Sequence, residues 1–342
     1  LWNRSYSESR VPEVPSMLLE LLSHQNFADM RYGLDPRFRF TVSRSIYKGM
    51  LKYISAANNL EYVVQPLPVE QFSCRFLDKN KVELHWVAVI DSLEPTAQAD
   101  QYVLYTRIND GDFDNGAVVT SNRIALTILS GKIYSFKVMA LNKGGQSFPS
   151  EILSVYRAPN EKGEVLIVNG FDRLSAPVNF VLDSTYAGFL NDKDAGVPYL
   201  SEISFVGKQY EFKRNKPMMS DDAPGFGASH ANYETKVIAG NTFDYPFIHG
   251  KAVKSAGYSF VSSSEKAVIM GDMDLNQFKI VDLILGKQKQ TYIGNAKKAP
   301  EFKTFPLALQ QSISLYCSKG GNLIVSGAFI GSDLRESVHP IH

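Results

Sequence analysis

The chain has 342 residues, of which 44% are hydrophobic and 21% charged, so its composition is not that of a disordered protein and can fill two or three packed domains. Its 36 Lys and Arg residues almost balance 35 Asp and Glu residues, and the resulting formal charge of +1 argues against nucleic acid as a partner. Two distant cysteines, Cys74 and Cys317, exclude a disulfide framework, and no apolar run approaches the roughly 20 residues that span a bilayer.

The first segment, 1–62, combines a predicted strand with a predicted helix. The apolar run 17–22 follows two prolines, which predicts a strand, and apolar residues recur at helical spacing over 36–55. One strand and one or two helices cannot bury both faces of a sheet. We therefore expect absent upstream sequence or a neighbouring domain to cover this segment, and we interpret the chain as a processed or truncated product.

Residues 14–26 and 42–49 resemble the last part of a zinc-dependent N-acetylmuramoyl-L-alanine amidase domain. The resemblance implies that Glu20 is the strand-end glutamate that acts as catalytic base or charge stabiliser beside the metal. The zinc ligands of that family would precede Leu1. We therefore expect zinc in the parent domain, but no metal ligand, no cofactor and no amidase activity in this chain alone. Alternatively, Glu20 is a partly buried carboxylate with a structural partner, and His24 a strand-end hydrogen-bonding residue.

Segment 63–159 is predicted to be a β-sandwich. Apolar and polar residues alternate over 82–86, 102–105 and 134–140, with turn residues between these runs. Trp86 in an early strand, the Leu129 to Tyr134 spacing of a tyrosine corner and the run 140–147 together resemble a fibronectin type III domain. The proline that is usual in that corner is missing here. Modules of this family serve mainly as spacers or binding platforms.

Segment 160–342 alternates short apolar runs with helical stretches. The runs are 165–169, 258–262, 280–285 and 322–326, and helices are predicted around 246–255, 264–270 and 306–318. This alternation predicts a mainly parallel sheet with helices on both faces, a three-layer α/β domain of flavodoxin-like or glutamine-amidotransferase-like type. The whole chain is thus predicted to be multidomain, α/β plus all-β.

Ligands of open parallel sheets bind outside the carboxyl ends of the strands, so the loops after these runs are the candidate pocket. They carry Asn169, Gly170, Phe171 and Asp172, then Ser262 to Ser264, Gly286 to Gln288, and Ser326 with Gly327.

Ser263 occupies a strand-to-helix turn where related folds place a nucleophile. His249 and Asp244 would complete a Ser/His/Asp set, although both neighbours of Ser263 are serines where a nucleophile elbow needs glycine. The alternative is a hydroxyl-rich helix N-cap.

A long insertion between the first two runs is rich in aromatic and acidic residues. Tyrosine and phenylalanine rings such as Tyr245 suit the flat faces of sugars, while polar groups take hydroxyls. The predicted ligand-binding residues of this domain are Asn169, Phe171, Asp221, Asp222, Asn241, Asp244 and Tyr245. The alternative is that most of these aromatic residues fill a core.

Residues 168–173, 240–246 and 285–288, with the amidase-like and fibronectin-like parts, resemble bacterial proteins often labelled xanthan lyases. The family implies a secreted, periplasmic or cell-surface protein. Our leading hypothesis is a protein that acts on or binds peptidoglycan or another polysaccharide. The alternatives are a hydrolase or lyase with Asp172, Ser263 and His249 at the sheet edge, and a purely structural multidomain scaffold.

Overall fold

This computed structural model describes residues 7–33, 35–171, 179–181, 187–189, 217, 244–286, 288–327 and 329–331. The helices are α1 (Ser7–Arg10), α2 (Phe27–Gly33), α3 (Pro36–Ala57), α4 (Tyr245–Ser255), α5 (Glu265–Met270) and α6 (Leu307–Ser318). The strands are β1 (Glu70–Phe76), β2 (Lys81–Val87), β3 (Gln101–Ile108), β4 (Ala117–Val119), β5 (Arg123–Thr127), β6 (Ile133–Asn142), β7 (Gly145–Gln146), β8 (Leu153–Tyr156), β9 (Glu164–Asn169), β10 (Asn179–Val181), β11 (Ala187–Phe189), β12 (Ser259–Ser264), β13 (Ile280–Ile284) and β14 (Asn322–Ser326).

The N-terminal helices form as predicted, but the predicted strand is wrong. Helix α3 begins at a proline after the N-cap Asp35, whose carboxylate accepts hydrogen bonds from Arg37 N and Phe38 N at 3.3 and 3.1 Å. Residues 17–22 have no regular secondary structure. Their hydrophobicity fits a strand, yet no described strand pairs with them, and pairing is what makes a strand.

The predicted β-sandwich is confirmed. Strands β1, β2 and β5 form one antiparallel sheet, and β4, β3, β6 and β8 form the other, with β7 beside β6. Trp86 is fully buried between them, edge-on to Phe72 and Tyr102 at ring distances of 6.2 and 5.3 Å. The tyrosine corner is present, since Leu129 N donates to Tyr134 Oη at 3.2 Å.

The four predicted C-terminal runs form a parallel sheet in the order β12-β9-β13-β14. Alternate side chains of β9 face opposite sides. Ile167 packs in a cluster with Phe247 of α4, while Leu166 packs in a second cluster with Leu309 of α6. Helices therefore cover both faces, as predicted.

The sandwich and the parallel sheet share strands and cores. Edge strand β12 pairs antiparallel with β8 at Phe260 and Tyr156, and with β1 at Ser263 and Ser73. Each of the two hydrophobic clusters contains residues of both units. The two units are thus joined through a continuous sheet and continuous cores, which fixes the position of every loop at the edge of the parallel sheet.

Candidate functional site

A cleft of about 640 Å³ lies at the carboxyl ends of β9 and β12, beneath helix α3. It meets the expectation that a pocket would form from the loops after the parallel strands, since Asn169, Phe171, Ser264 and Gln288 all line it. Its other walls belong to α3 and to the sandwich: Arg37, Phe40, Thr41, Leu67, Pro68, Val69, Glu70, Gln71, Val89, Pro149, Ser150, Glu151, Glu265, Lys266, Ile269, Phe302, Lys303 and Pro306.

Helix α3 is held over the cleft by contacts to both of the other units. Near its first turn, Arg37 pairs with Glu301 at 2.9 Å and its guanidinium lies 4.5 Å from the Phe302 ring centre. Two turns further on, Arg44 pairs with Asp91 of the sandwich at 3.0 Å, and both side chains are about nine-tenths buried. The helix therefore forms one fixed wall of the cleft.

Asn169 is a buried polar side chain at this cleft, only 2% exposed. Its Nδ2 donates at 3.5 Å to Glu151 Oε2 and at 3.4 Å to Phe171 O, both near the outer limit for a hydrogen bond. Its Oδ1 has no hydrogen-bond partner among the described residues. Leaving a buried acceptor unsatisfied costs about 1–3 kcal/mol, so this atom is suited to accept a hydrogen bond from a ligand.

Two cleft residues have a backbone conformation that side chains other than glycine adopt rarely. Gln71 has a φ of 55° at a β-bulge between Glu70 and Ser73, and Phe302 has a φ of 56°. Such conformations cost about 1–3 kcal/mol and cluster at ligand sites. The strain occurs in two walls that face the same cleft.

The structure places Ser263 inside the sheet, away from a nucleophile's position. Ser263 is fully buried in β12, and its hydroxyl donates to Ser264 O at 3.1 Å. Ser264 is the N-cap of α5, since its Oγ accepts from Ala267 N at 3.2 Å. The neighbouring Ser262 exchanges hydrogen bonds of 2.7 Å with the backbone of Ser154 in β8. This serine run therefore caps a helix and joins two strands.

His249 and Asp244 have other partners and do not complete a set with Ser263. His249 Nδ1 lies 2.7 Å from Asp282 Oδ2 of β13, with 28% of the His249 side chain exposed. Helix α4, which carries His249, packs with Phe260 on one face of β12, and Ser263, an odd number of residues along the strand, faces the other side. The two side chains thus lie on opposite faces of the sheet.

Asp244 forms an ion pair with Arg107 of the sandwich at 2.6 Å, and both side chains are fully buried. The Arg107 guanidinium also donates to Ser135 Oγ at 2.9 Å and lies 4.5 Å from the Phe247 ring centre. Burial raises the pKa of the Asp244 carboxyl to about 6, although the nearby guanidinium opposes this shift. This predicted ligand residue thus lies in the junction between the two units.

Two further predicted residues pack together beside the cleft. Phe171 is 3% exposed and lies edge-on to Tyr245, with ring centres 5.3 Å apart. Burial raises the pKa of the Tyr245 hydroxyl. Phe171 lines the cleft, whereas Tyr245 supports it from α4.

Glu20 lies in the irregular segment before α2, where both it and His24 are exposed. The described residues contain no group of three or more His, Cys, Asp or Glu side chains arranged to hold a metal ion. The predictions for Asp172, Asp221, Asp222 and Asn241 lie outside the described residues. Among the described helices, none combines the length and the hydrophobicity needed to cross a bilayer.

Sequence analysis missed two buried charged residues, Arg107 and Asp282. Each is a charge inside an apolar strand, and this is the signal that would have found them, because such charges stay buried only with a partner. It also missed the contribution of α3 and of Glu151 to the cleft. That contribution depends on contacts between distant segments.

The described fold defines a modular protein in which a sandwich is fused to a parallel α/β sheet. No family model matches the sequence. No curated protein matches it either.

Solved structures that contain fibronectin type III domains are similar to part of the chain. The twitchin kinase region from C. elegans is 23% identical over 28% of this chain and 17% of its own, with a TM-score of 0.25. The FN5 domain of Drosophila Lar is 15% identical over 27% of this chain and 97% of its own, with a TM-score of 0.22. A fourth human FNIII domain is 18% identical over 28% and 80%, with a TM-score of 0.25. At these scores the similarity carries no argument about function, and the sandwich rests on its own strand order and tyrosine corner.

Proposed function

We propose that this protein is a secreted or cell-envelope protein of a bacterium, and that it binds peptidoglycan or another polysaccharide in the cleft beneath α3. The observation that carries the proposal is the composition of that cleft. Three phenylalanines, Phe40, Phe171 and Phe302, alternate along its walls with amide, carboxylate and basic side chains. Flat apolar surfaces with hydrogen-bonding groups around them suit sugar rings, whose faces are apolar and whose edges carry hydroxyls.

The position of the cleft supports a ligand site. Numbered in chain order, the parallel strands follow the sequence 2-1-3-4, the order of a flavodoxin-like fold, and we assign this unit to that type. In such folds the ligand lies at the point where the strand order reverses, here between β9 and β13. Asn169 ends β9 and Gln288 follows β13, and both line the cleft.

The N-terminal part supports a relationship to an amidase-like α/β domain. The apolar residues of segment 11–22 are exposed, Met17 by 73% and Leu21 by 52%, and α3 exposes Met50 and Ile54 by 63% and 52%. A strand and a helix with uncovered apolar sides fit a larger sheet. The described residues do not fit zinc. Zinc and the base role of Glu20 therefore remain proposals for the parent domain of the xanthan lyase-like family, and we derive no reaction step from them.

A specific observation favours each of the two other candidates. For a hydrolase or lyase it is the pair of His249 with Asp282, because a carboxylate that holds the Nδ1 of a partly exposed histidine leaves Nε2 able to move a proton. For a structural scaffold it is the continuous core of the sandwich and the parallel sheet. Neither accounts for the polar and aromatic walls of the cleft.

The test is binding of the full chain to insoluble peptidoglycan and, by calorimetry, to a panel of soluble oligosaccharides and muropeptides. We expect Phe40→Ala to weaken binding about three- to tenfold, the loss of one aromatic contact. Tyr53→Ala is the matched control, because Tyr53 is an aromatic residue of the same helix that is 57% exposed and does not line the cleft. Flat heats across the panel, or equal losses in both variants, would contradict the proposal.

A further inference from the structure

The unsatisfied oxygen of Asn169 restricts what the cleft can bind. Asn169 Oδ1 is buried without a partner among the described residues, while Nδ2 is directed to Glu151 and to the Phe171 carbonyl. A ligand that fits here must bring a hydrogen-bond donor to Oδ1, because an added acceptor would leave two lone-pair groups facing each other.

The surroundings of Asn169 restrict the ligand further. Phe171, Ile269 and Val69 give this part of the cleft an apolar lining. A group that carries several hydroxyls would lose water without gaining partners on such a lining. The Glu151 carboxylate, within 3.5 Å of the Asn169 amide, also disfavours an acidic group at the same position. The group that fits has one N–H donor, no charge and an apolar end.

We infer that this part of the cleft is an acetamido subsite, and that the ligand class is an oligosaccharide of N-acetylated amino sugars. In this inference, which rests on the proposed function, the acetamido N–H donates to Asn169 Oδ1 and the methyl group packs on the apolar lining. The carboxamide of Asn169 is complementary to an amide, since it has one acceptor and one donor group in a plane. A polysaccharide with only hydroxyl groups lacks this match.

The experiment compares two trisaccharides of equal length, the trimer of N-acetylglucosamine and cellotriose, which differ by an acetamido group in place of a hydroxyl. Titration calorimetry of the full chain should show at least about tenfold tighter binding of the acetylated trimer, the effect of one satisfied buried hydrogen bond. Asn169→Leu keeps the approximate size of the side chain and removes the acceptor, so its preference should fall below about twofold. Thr41→Val, at an exposed position of α3 that also lines the cleft, should keep the wild-type preference.

The outcomes separate this inference from the proposed function. Equal binding of both trimers overturns the acetamido subsite and leaves glycan binding in place, whereas binding of neither overturns both. A preference that persists in a folded Asn169→Leu variant overturns the role of Asn169. Should that variant not fold, saturation-transfer NMR on the wild-type protein decides, because the inference requires the acetyl methyl to receive the strongest transfer of all ligand protons.

Discussion

The junction between the sandwich and the parallel sheet is buried on every side, whereas segment 11–22 exposes nearly all of its apolar side chains. In the junction, serines of β12 bond to the backbone of β8, and Arg107 and Asp244 form a fully buried pair. In segment 11–22, Val11, Val14 and Met17 are exposed by 69%, 66% and 73%. The difference shows that hydrophobicity alone does not produce a core. A strand is buried only where another strand or helix covers it.

Removing the Arg107 side chain should have the largest effect on the junction. Arg107→Ala leaves the Asp244 carboxylate buried without its cation, so we expect a loss of about 3–5 kcal/mol in the free energy of unfolding at pH 7. Urea unfolding measures it. Arg123→Ala is the matched control, since Arg123 pairs with Glu83 in the same sandwich but is 47% exposed, and it should cost at most about 1 kcal/mol. Similar losses in the two variants would show that the junction is no more critical than the surface.

A pair of helical glycines sharpens the comparison, because the same substitution should act in opposite directions. A Cβ on Gly250 of α4 would lie 2.2 Å from Cζ of Phe260, so Gly250→Ala forces α4 away from the sheet and should cost about 1–3 kcal/mol. A Cβ on Gly49 of α3 has nothing within 4 Å, and Gly49→Ala should stabilise by about 0.5–1 kcal/mol. Thermal unfolding of both variants checks the signs. A stabilising Gly250→Ala would mean that α4 does not pack closely on β12.

Much of the fold follows from local sequence patterns. The parallel strands, helices α3 to α6 and the Leu129 to Tyr134 corner form where they are predicted, because apolar period and turn residues act within a few positions. The functions of Ser262 and Asp244 could not be predicted in this way. Their partners, Ser154 and Arg107, lie 108 and 137 residues away. The cleft itself was located from strand order, but its α3 wall depends on similarly distant contacts.

The buried Asp244 should give the junction a characteristic pH dependence. Its folded-state pKa of about 6 lies above the ordinary 3.8, so the folded protein binds the proton more tightly than the unfolded chain does. This contribution to stability is complete below about pH 4 and is lost as the pH rises through about 6. The stability of the wild type relative to Asp244→Asn should therefore fall between pH 4 and pH 7.

Unfolding at several pH values measures that difference. The comparison with Asp244→Asn is needed because other carboxyls act in the opposite direction. Hydrogen bonds from Ser259 and Arg157 lower the pKa of Glu161, whose contribution is lost as the pH falls. A difference that is independent of pH would show that Asp244 does not titrate in this range.

The smallest effect on stability is expected in segment 11–22. Met17→Ser and Leu21→Ser change side chains that are 73% and 52% exposed, so the free energy of unfolding should shift by less than about 0.5 kcal/mol. The same variants should bind less of a hydrophobic dye, because they remove part of an exposed apolar surface. A variant at a buried position, Leu84→Ala, should show the reverse: a large loss of stability without reduced dye binding in the folded state. If the two serine variants instead lowered stability as Leu84→Ala does, the segment would be packed in solution, and its resemblance to an uncovered strand of a larger α/β domain would lose its physical basis.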